Sequence, residues 1–113
     1  MKKLNLKEAE QVEALPGIFR KTLAFNEEVM LCHFHLKKGA KIPLHEHRAS
    51  QNGFVISGTA RFFTETTEFM AETGESYVFG PNEKHGCDVI EDTIIIEAFA
   101  PSRPEYGPNS DSK

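Results

Sequence analysis

Cysteine is scarce in this chain of 113 residues, and long apolar runs are missing from it. The two cysteines, Cys32 and Cys87, do not suggest the disulfide framework of a small secreted domain. No stretch approaches the roughly 20 apolar residues that span a bilayer. The first eight residues also have no apolar core of signal-peptide length. We therefore expect a cytoplasmic protein that does not enter a membrane.

Positive charge is in short supply as well. The formal net charge is −4, which leaves no basic face for nucleic acid. A small anionic substrate is compatible with this charge, because a local metal ion and an arginine can outweigh a weakly negative surface. The length favours one domain. We predict a single domain over residues 1–106 and a flexible tail over residues 107–113, where the sequence turns polar.

Short runs of β-branched and aromatic residues, separated by turn residues, dominate the chain. Every second residue from Met30 to Leu36 is apolar or a cysteine, which is the period of a strand. Further strands are predicted over residues 18–25, 54–56, 60–64, 68–71, 76–79, 85–90 and 93–99. Only residues 6–14 have the pattern of a short helix, which Pro16 and Gly17 would stop. Many short strands with regular turns predict an all-β barrel or sandwich.

Three of the five histidines carry the strongest functional signal. In an extended chain, side chains at i and i+2 point to the same face, so His45 and His47 can direct two imidazoles to one point. His85 can add a third imidazole, and Gln51 can add an amide oxygen or nitrogen. We predict a metal site that is formed by these four side chains.

A second histidine pair, His33 and His35, has the same spacing but no motif around it. We interpret this pair as part of a strand face or of a dimer contact. Cys87 follows His85 by two residues and shares its face, and we interpret it as a buried apolar thiol.

The spacing around the predicted ligands resembles the two signature motifs of the cupin superfamily. The first is matched by Gly39-x5-His45-x-His47-x3-Gln51-x6-Gly58, and the second by Gly74-x5-Gly80-Pro81-Asn82-x2-His85. The resemblance implies a conserved β-barrel, an antiparallel jelly roll, that holds one divalent ion: Ni, Zn, Mn, Fe or Co. Gln51 stands where the family has Glu, which leaves the charge of the site at about +2 instead of about +1. A more positive site favours Lewis-acid chemistry over activation of dioxygen.

Three further segments, residues 17–26, 85–87 and 97–106, are similar to the small cupins of uronate catabolism, the pectin-degradation proteins. Those enzymes open and linearise 4,5-unsaturated monouronates. The resemblance implies catalytic roles for Glu97, Phe99 and Arg103, with Glu97 in place of the usual Asp. Glu97 would act as a general acid or base, and Arg103 would bind a substrate carboxylate through two hydrogen bonds. It also implies a homodimer.

Two other functions fit the same residues. One is a cupin dioxygenase that cleaves an enediol or a flavonol-like substrate, although Gln51 argues against it. The other is a non-catalytic module that binds a metal or a sugar acid. Each catalytic candidate also has a structural interpretation: Glu97 at a solvated strand end, Phe99 in the core and Arg103 in solvent. Arg20 and Lys21 are interpreted as a charged strand face, from which one of the two could reach the pocket.

Overall fold

The structure is a computed structural model that describes residues 1–107, and residues 108–113 lie outside the described part. Ten strands make up most of the described chain. Their bounds are β1 Gln11–Leu15, β2 Ile18–Phe25, β3 Met30–Leu36, β4 Lys41–His45, β5 Ser50–Ser57, β6 Thr59–Phe63, β7 Glu68–Glu72, β8 Ser76–Phe79, β9 His85–Val89 and β10 Thr93–Ala100. Two 3-10 turns, Leu6–Glu8 and Pro104–Tyr106, lie near the ends.

Two antiparallel sheets face each other and enclose the core. The larger has the strand order β1-β2-β3-β10-β5-β8, and the smaller has the order β4-β9-β6-β7. Successive strands repeatedly switch between the two sheets, as expected for a jelly roll. The prediction of an all-β fold, an antiparallel jelly roll, is confirmed.

The period-two pattern determines which side chains line the interior. In β3, the side chains of Met30, Cys32, Phe34 and Leu36 are all buried, and the residues between them point outward. Ile95 of β10 pairs with Phe34 of β3 and with Val55 of β5, which makes an apolar row across three strands. Burial of each such side chain contributes about 1.5–3 kcal/mol.

Strand β10 carries one charged side chain on its inner face. Thr93, Ile95, Glu97 and Phe99 alternate inward, and Glu97 is only 6% exposed. The same alternation that builds the core therefore delivers a carboxyl group into the barrel. The sequence interpretation of Glu97 as a solvated residue at a strand end is wrong.

The helix that the sequence pattern favours over residues 6–14 is not present. Only Leu6–Glu8 form a 3-10 turn, capped by Asn5. Residues Gln11–Leu15 form β1, which pairs with β2 across a tight turn. Gly17 has φ +78°, the left-handed conformation that glycine adopts without strain, so the Pro-Gly pair joins a hairpin instead of ending a helix.

Strand β4 was not predicted from the sequence. It contains Pro43, which lowers the strand signal because proline cannot donate a ladder hydrogen bond. In the structure β4 is an edge strand of the smaller sheet, where a missing donor is tolerated. Its last residue is His45, so β4 brings the first predicted ligand to the mouth of the barrel.

The outer face of the larger sheet exposes several apolar side chains, among them Phe54, Ile56 and Val78. This exposure is compatible with the predicted homodimer, which stays a prediction. Within residues 1–107, none of the helical segments has the length and hydropathy to cross a membrane. The predicted tail lies, apart from Gly107, outside the described residues, and its flexibility and the domain bounds stay predictions.

Candidate metal centre

Three imidazoles meet at one end of the barrel. The ring centroids of His45 and His85 are 4.5 Å apart, and that of His47 is 5.6 Å from His45 and 5.1 Å from His85. One nitrogen from each ring lies within 4.8 Å of those of the other two, close enough for the three to hold one metal ion. The structure therefore brings together the three histidines that the sequence singled out. His47 lies just after β4 instead of within it.

Backbone carbonyl groups fix which nitrogen of each ring faces the centre. The Nδ1 atoms of His45, His47 and His85 lie 3.0, 2.8 and 2.7 Å from the carbonyl oxygens of Pro43, Ala49 and Glu83. A carbonyl oxygen only accepts hydrogen bonds, so each Nδ1 must carry the proton. In a neutral ring, Nε2 then presents a lone pair, which is the form that binds a metal.

Gln51 directs its amide oxygen to the same point. Its Oε1 atom lies 3.0 Å from Nε2 of His47 and 3.1 Å from Nε2 of His85. These separations match those of adjacent ligands around one ion with bonds of about 2.1 Å at right angles, which is about 3.0 Å.

The rings of His47 and His85 are held in a neutral state. Burial lowers the pKa of His85 to about 4, and burial followed by the charge of Arg103 lowers the pKa of His47. Neutral imidazoles turn unshared electron pairs toward an amide oxygen that also offers only electron pairs. A cation between them relieves that repulsion, so this donor set fits a divalent ion.

Glu97 lies directly behind Gln51. Its Oε2 atom accepts hydrogen bonds from Nε2 of Gln51 at 2.6 Å and from the hydroxyl of Tyr77 at 2.5 Å. Burial raises the pKa of Glu97, and these hydrogen bonds together with the charge of Arg103 oppose the rise. The sequence predicted Glu97 near the metal site, and the structure places its carboxyl group one hydrogen bond from Gln51.

A cavity of about 80 Å³ joins the histidines to the barrel interior. Its wall includes Glu97, Phe99 and Arg103 together with His45, Gln51 and His85, and apolar residues line the inner end. Phe99 is buried and meets the ring of His47 edge-on, with centroids 5.8 Å apart. All three catalytic candidates therefore border the same space as His45, Gln51 and His85.

Arg103 lies on a segment that crosses the barrel mouth. The amide of Ser102 donates to the carbonyl of Glu27 at 3.2 Å, and the hydroxyl of Thr22 donates to the carbonyl of Tyr106 at 2.7 Å. Between these two attachments, the side chain of Arg103 is only 12% exposed, so the interpretation of a solvated arginine is wrong. It also borders an outer cleft of about 580 Å³ that reaches His47.

Two contributors to this region, Tyr106 and Tyr77, were given no role in it from the sequence, and Arg20 was one of two candidates for the pocket. Arg20, which was interpreted as part of a charged strand face, is 4% exposed because β2 turns it inward. The Tyr106 ring lies between the guanidinium carbons of Arg20 and Arg103, at 4.2 and 4.0 Å from its centroid. Tyr77 was read only as part of a strand. Its inward position follows from strand register, which single-residue patterns do not reveal.

Comparison with known proteins identifies the family. The family model for the cupin domain matches residues 32–99. The chain belongs to the cupin domain family. A pectin degradation protein, KdgF of Dickeya dadantii (strain 3937), is 29% identical over 92 residues, which cover 80% of this chain and 84% of that protein.

Two solved cupin structures share the whole fold. An RmlC-like cupin from Shewanella frigidimarina NCIMB 400 has a TM-score of 0.88 and 26% identity, and the match covers 95% of this chain and 96% of that one. KdgF from Halomonas sp. has a TM-score of 0.82 and 27% identity, with coverage of 91% and 96%. The predicted similarity to pectin-degradation cupins is confirmed.

Proposed function

We propose that this cupin is a metal-dependent enzyme that opens and linearises a 4,5-unsaturated uronate from the breakdown of pectin or a related polyuronate. The proposal rests on one observation above all. A single cavity is bordered by three of the four candidate metal ligands, by the buried carboxyl group of Glu97 and by the largely buried side chain of Arg103. The similarity to two proteins named KdgF, one described as a pectin degradation protein, supports the same substrate class.

The ligand set in this proposal is His45, His47, Gln51 and His85, and the ion is one of Ni, Zn, Mn, Fe or Co. A divalent ion bound there would supply Lewis acidity to a hydroxyl or ring oxygen of the sugar acid. The proposed reaction is an isomerisation, so it needs no oxidant, reductant or second substrate. The side chains of the protein must then bind the substrate, transfer the proton and exclude water.

Arg103 binds and orients the substrate in this proposal. Its guanidinium group carries a permanent positive charge, presents parallel N–H groups that match a carboxylate, and is held against Tyr106 before substrate arrives. Its Nη2 atom donates to Oε2 of Glu105 at 3.2 Å, an acceptor on the exposed side. Arg103 also separates the barrel cavity from the outer cleft, so a sugar acid that enters from the cleft meets it first.

Glu97 exchanges the proton in this proposal. Linearisation transfers one proton to the enol-ether carbon, while a hydroxyl group loses one and the ring C–O bond breaks. Glu97 is the carboxyl group in the cavity wall, and its Oε2 atom is fixed by Gln51 and Tyr77. Phe99 and the apolar inner wall keep bulk water away from that proton transfer.

A turnover assay tests the proposal. Metal-loaded protein is mixed with unsaturated galacturonate freshly made by a lyase, and loss of the absorbance of the conjugated double bond is compared with the spontaneous rate. We expect acceleration and a linear keto acid by NMR. Glu97→Gln should lower kcat by about 100-fold or more, and Arg103→Lys should raise KM by about tenfold.

Arg61→Lys is the matched control for the arginine variant. Arg61 points away from the cavity and forms ion pairs with Asp88 and Glu68, so its replacement should leave turnover unchanged. Failure to accelerate the reaction with any of the five metals bound would refute the uronate proposal. Oxygen consumption by iron-loaded protein with an enediol would then support the dioxygenase alternative, and binding without turnover would support a binding module.

A further inference from the structure

The orientation of the Gln51 amide calls for an explanation. Its oxygen faces the Nε2 atoms of His47 and His85, at 3.0 and 3.1 Å. Those nitrogens present lone pairs, because each Nδ1 carries its proton toward a backbone carbonyl. The imidazoles alone would therefore attract the NH2 end of the amide. A group on the other side must hold the amide in the opposite orientation.

Glu97 is that group. Its carboxylate can only accept, and its Oε2 atom lies 2.6 Å from Nε2 of Gln51. Both side chains are 6% exposed, so water has little access to compete for this contact. With the NH2 end bound to Glu97, the amide has only its oxygen left to offer to the three imidazoles.

Tyr77 holds the carboxylate in place. Its hydroxyl donates to the same Oε2 atom, and its ring packs against Phe62 and Phe79, with centroid distances of 4.4 and 5.6 Å. Gly53 on the neighbouring strand leaves the room that this ring needs. A β-carbon at residue 53 would lie 2.2 Å from Cζ and 2.3 Å from the hydroxyl oxygen of Tyr77.

We infer that Tyr77 and Glu97 are a positioning pair for Gln51: they orient its amide so that oxygen, not nitrogen, completes the metal site. The pair also puts a carboxyl group one hydrogen bond behind a neutral ligand, in the way that outer carboxylates support metal-bound histidines. This inference rests on the ligand set of the proposed function, and it is independent of the substrate and of the reaction.

Two tyrosine-to-phenylalanine variants test the role of Tyr77. Each removes a single hydroxyl group, but Tyr77 donates its hydrogen bond to Glu97, whereas the Tyr106 ring packs against the arginines. Competition with a chromophoric chelator gives the Kd for Zn²⁺ and Co²⁺. We expect Tyr77→Phe to raise Kd by about tenfold and to change the visible spectrum of bound Co²⁺. Tyr106→Phe should match the native chain in both measurements.

Exchanging the amide of Gln51 and the carboxyl group of Glu97 tests the role of Glu97. Gln51→Glu alone places two carboxyl groups in contact, so the metal-free variant should unfold at a lower temperature than the native chain. Adding Glu97→Gln restores one amide and one carboxyl group in reversed order. The double variant should recover most of the lost Tm and bind Co²⁺ at least as tightly as the native chain.

The inference is overturned if Tyr77→Phe lowers Tm but leaves the Kd and the Co²⁺ spectrum unchanged, because the tyrosine would then be merely structural. It is also overturned if the double variant is no more stable than Gln51→Glu. Absence of uronate turnover in the native chain would refute the proposed function alone, since none of these measurements uses the substrate.

Discussion

Two histidine pairs with identical spacing lie in different surroundings. His45 and His47 lie at the barrel mouth, where a third ring joins them. His33 and His35 lie on the outer face of the larger sheet, beside Lys21 and Phe19 on the neighbouring strand. Spacing alone is thus a weak signal. What separates the pairs is the third imidazole, the amide oxygen and the carbonyl groups that fix each ring.

The largest effect that this comparison predicts is on metal binding. His47→Ala removes one of three converging imidazoles, so the Kd for Zn²⁺ should rise by at least about 100-fold. This is more than the loss expected when a residue that only supports a ligand is replaced. His33→Ala is the matched control, because it removes the same side chain from the pair on the outer face. Titration of both variants against a competing chelator measures the difference. Equal losses would show that the two pairs are not distinct.

Removal of the metal from this centre should lower the stability of the fold. A ligand present at about 1,000 times its Kd stabilises the native state by about 4 kcal/mol. For a chain of this size, chelation should therefore lower Tm by about 10 °C or more. Calorimetry with and without chelator measures the shift, which His33→Ala should retain and His85→Ala should lose. A shift that persists in His85→Ala would place the stabilising ion elsewhere.

A third histidine can be added to the outer pair to challenge the comparison. Lys21 pairs directly with His33 across β2 and β3, so Lys21→His gives three neighbouring imidazoles on one face. We expect this variant, made together with His47→Ala, to bind Zn²⁺ more weakly than the native centre by a factor of about 100. That triplet would lie on the outer face of the sheet, without the buried Gln51–Glu97 pair that borders the native centre. Affinity equal to that of the native chain would show that a histidine count is sufficient.

The smallest predicted effect is the pH response of the outer pair. Burial, then the charges of Lys21 and His35, lower the pKa of His33. The folded state therefore binds fewer protons than the unfolded state below pH of about 6.5. The free energy of unfolding therefore has its full value above that pH with respect to His33, and it decreases as the pH falls below it.

His33→Gln should remove this contribution. Because His33 is partly exposed, solvent screening limits it to roughly 0.5 kcal/mol. Denaturant titrations give the free energy of unfolding of the metal-free native chain and of metal-free His33→Gln at pH 7.5 and at pH 5.5. The change between the two pH values is then compared between the two chains, so that the contribution of the other histidines cancels. If the two chains differ in free energy of unfolding by the same amount at both pH values, His33 is not the source of the pH response.

The two histidine pairs also show which features of the molecule can be predicted from the sequence. Strand periodicity predicted β3 and β10, and the cupin spacing predicted that His45, His47 and His85 converge. Residues 11–14 were misassigned to a helix, because only pairing with β2 decides their conformation. Pro43 concealed β4. That Gln51, His45, His47 and His85 ligate an ion, and that Glu97, Phe99 and Arg103 act in catalysis, stay predictions.

The contacts that support the ligands were beyond the reach of the sequence. Glu97 and Gln51 are 46 residues apart, and Tyr77 lies 20 residues before Glu97. Their meeting depends on the register of β5 against both β8 and β10, which places Gly53 opposite Tyr77 on one side and Glu97 on the other. A periodic pattern predicts which face a residue occupies, but not which residue lies opposite it.

The missing β-carbon at Gly53 has a consequence for how this site evolves. Because any larger residue at 53 would displace the Tyr77 ring, residue 53 can become larger only if residue 77 also changes. Among related barrels, a glycine at this place accompanied by a tyrosine on the adjacent strand should coincide with an acidic residue at the position of Glu97. A glycine outside the proposed ligand set would thereby become an inherited marker of how the Gln51 amide is oriented.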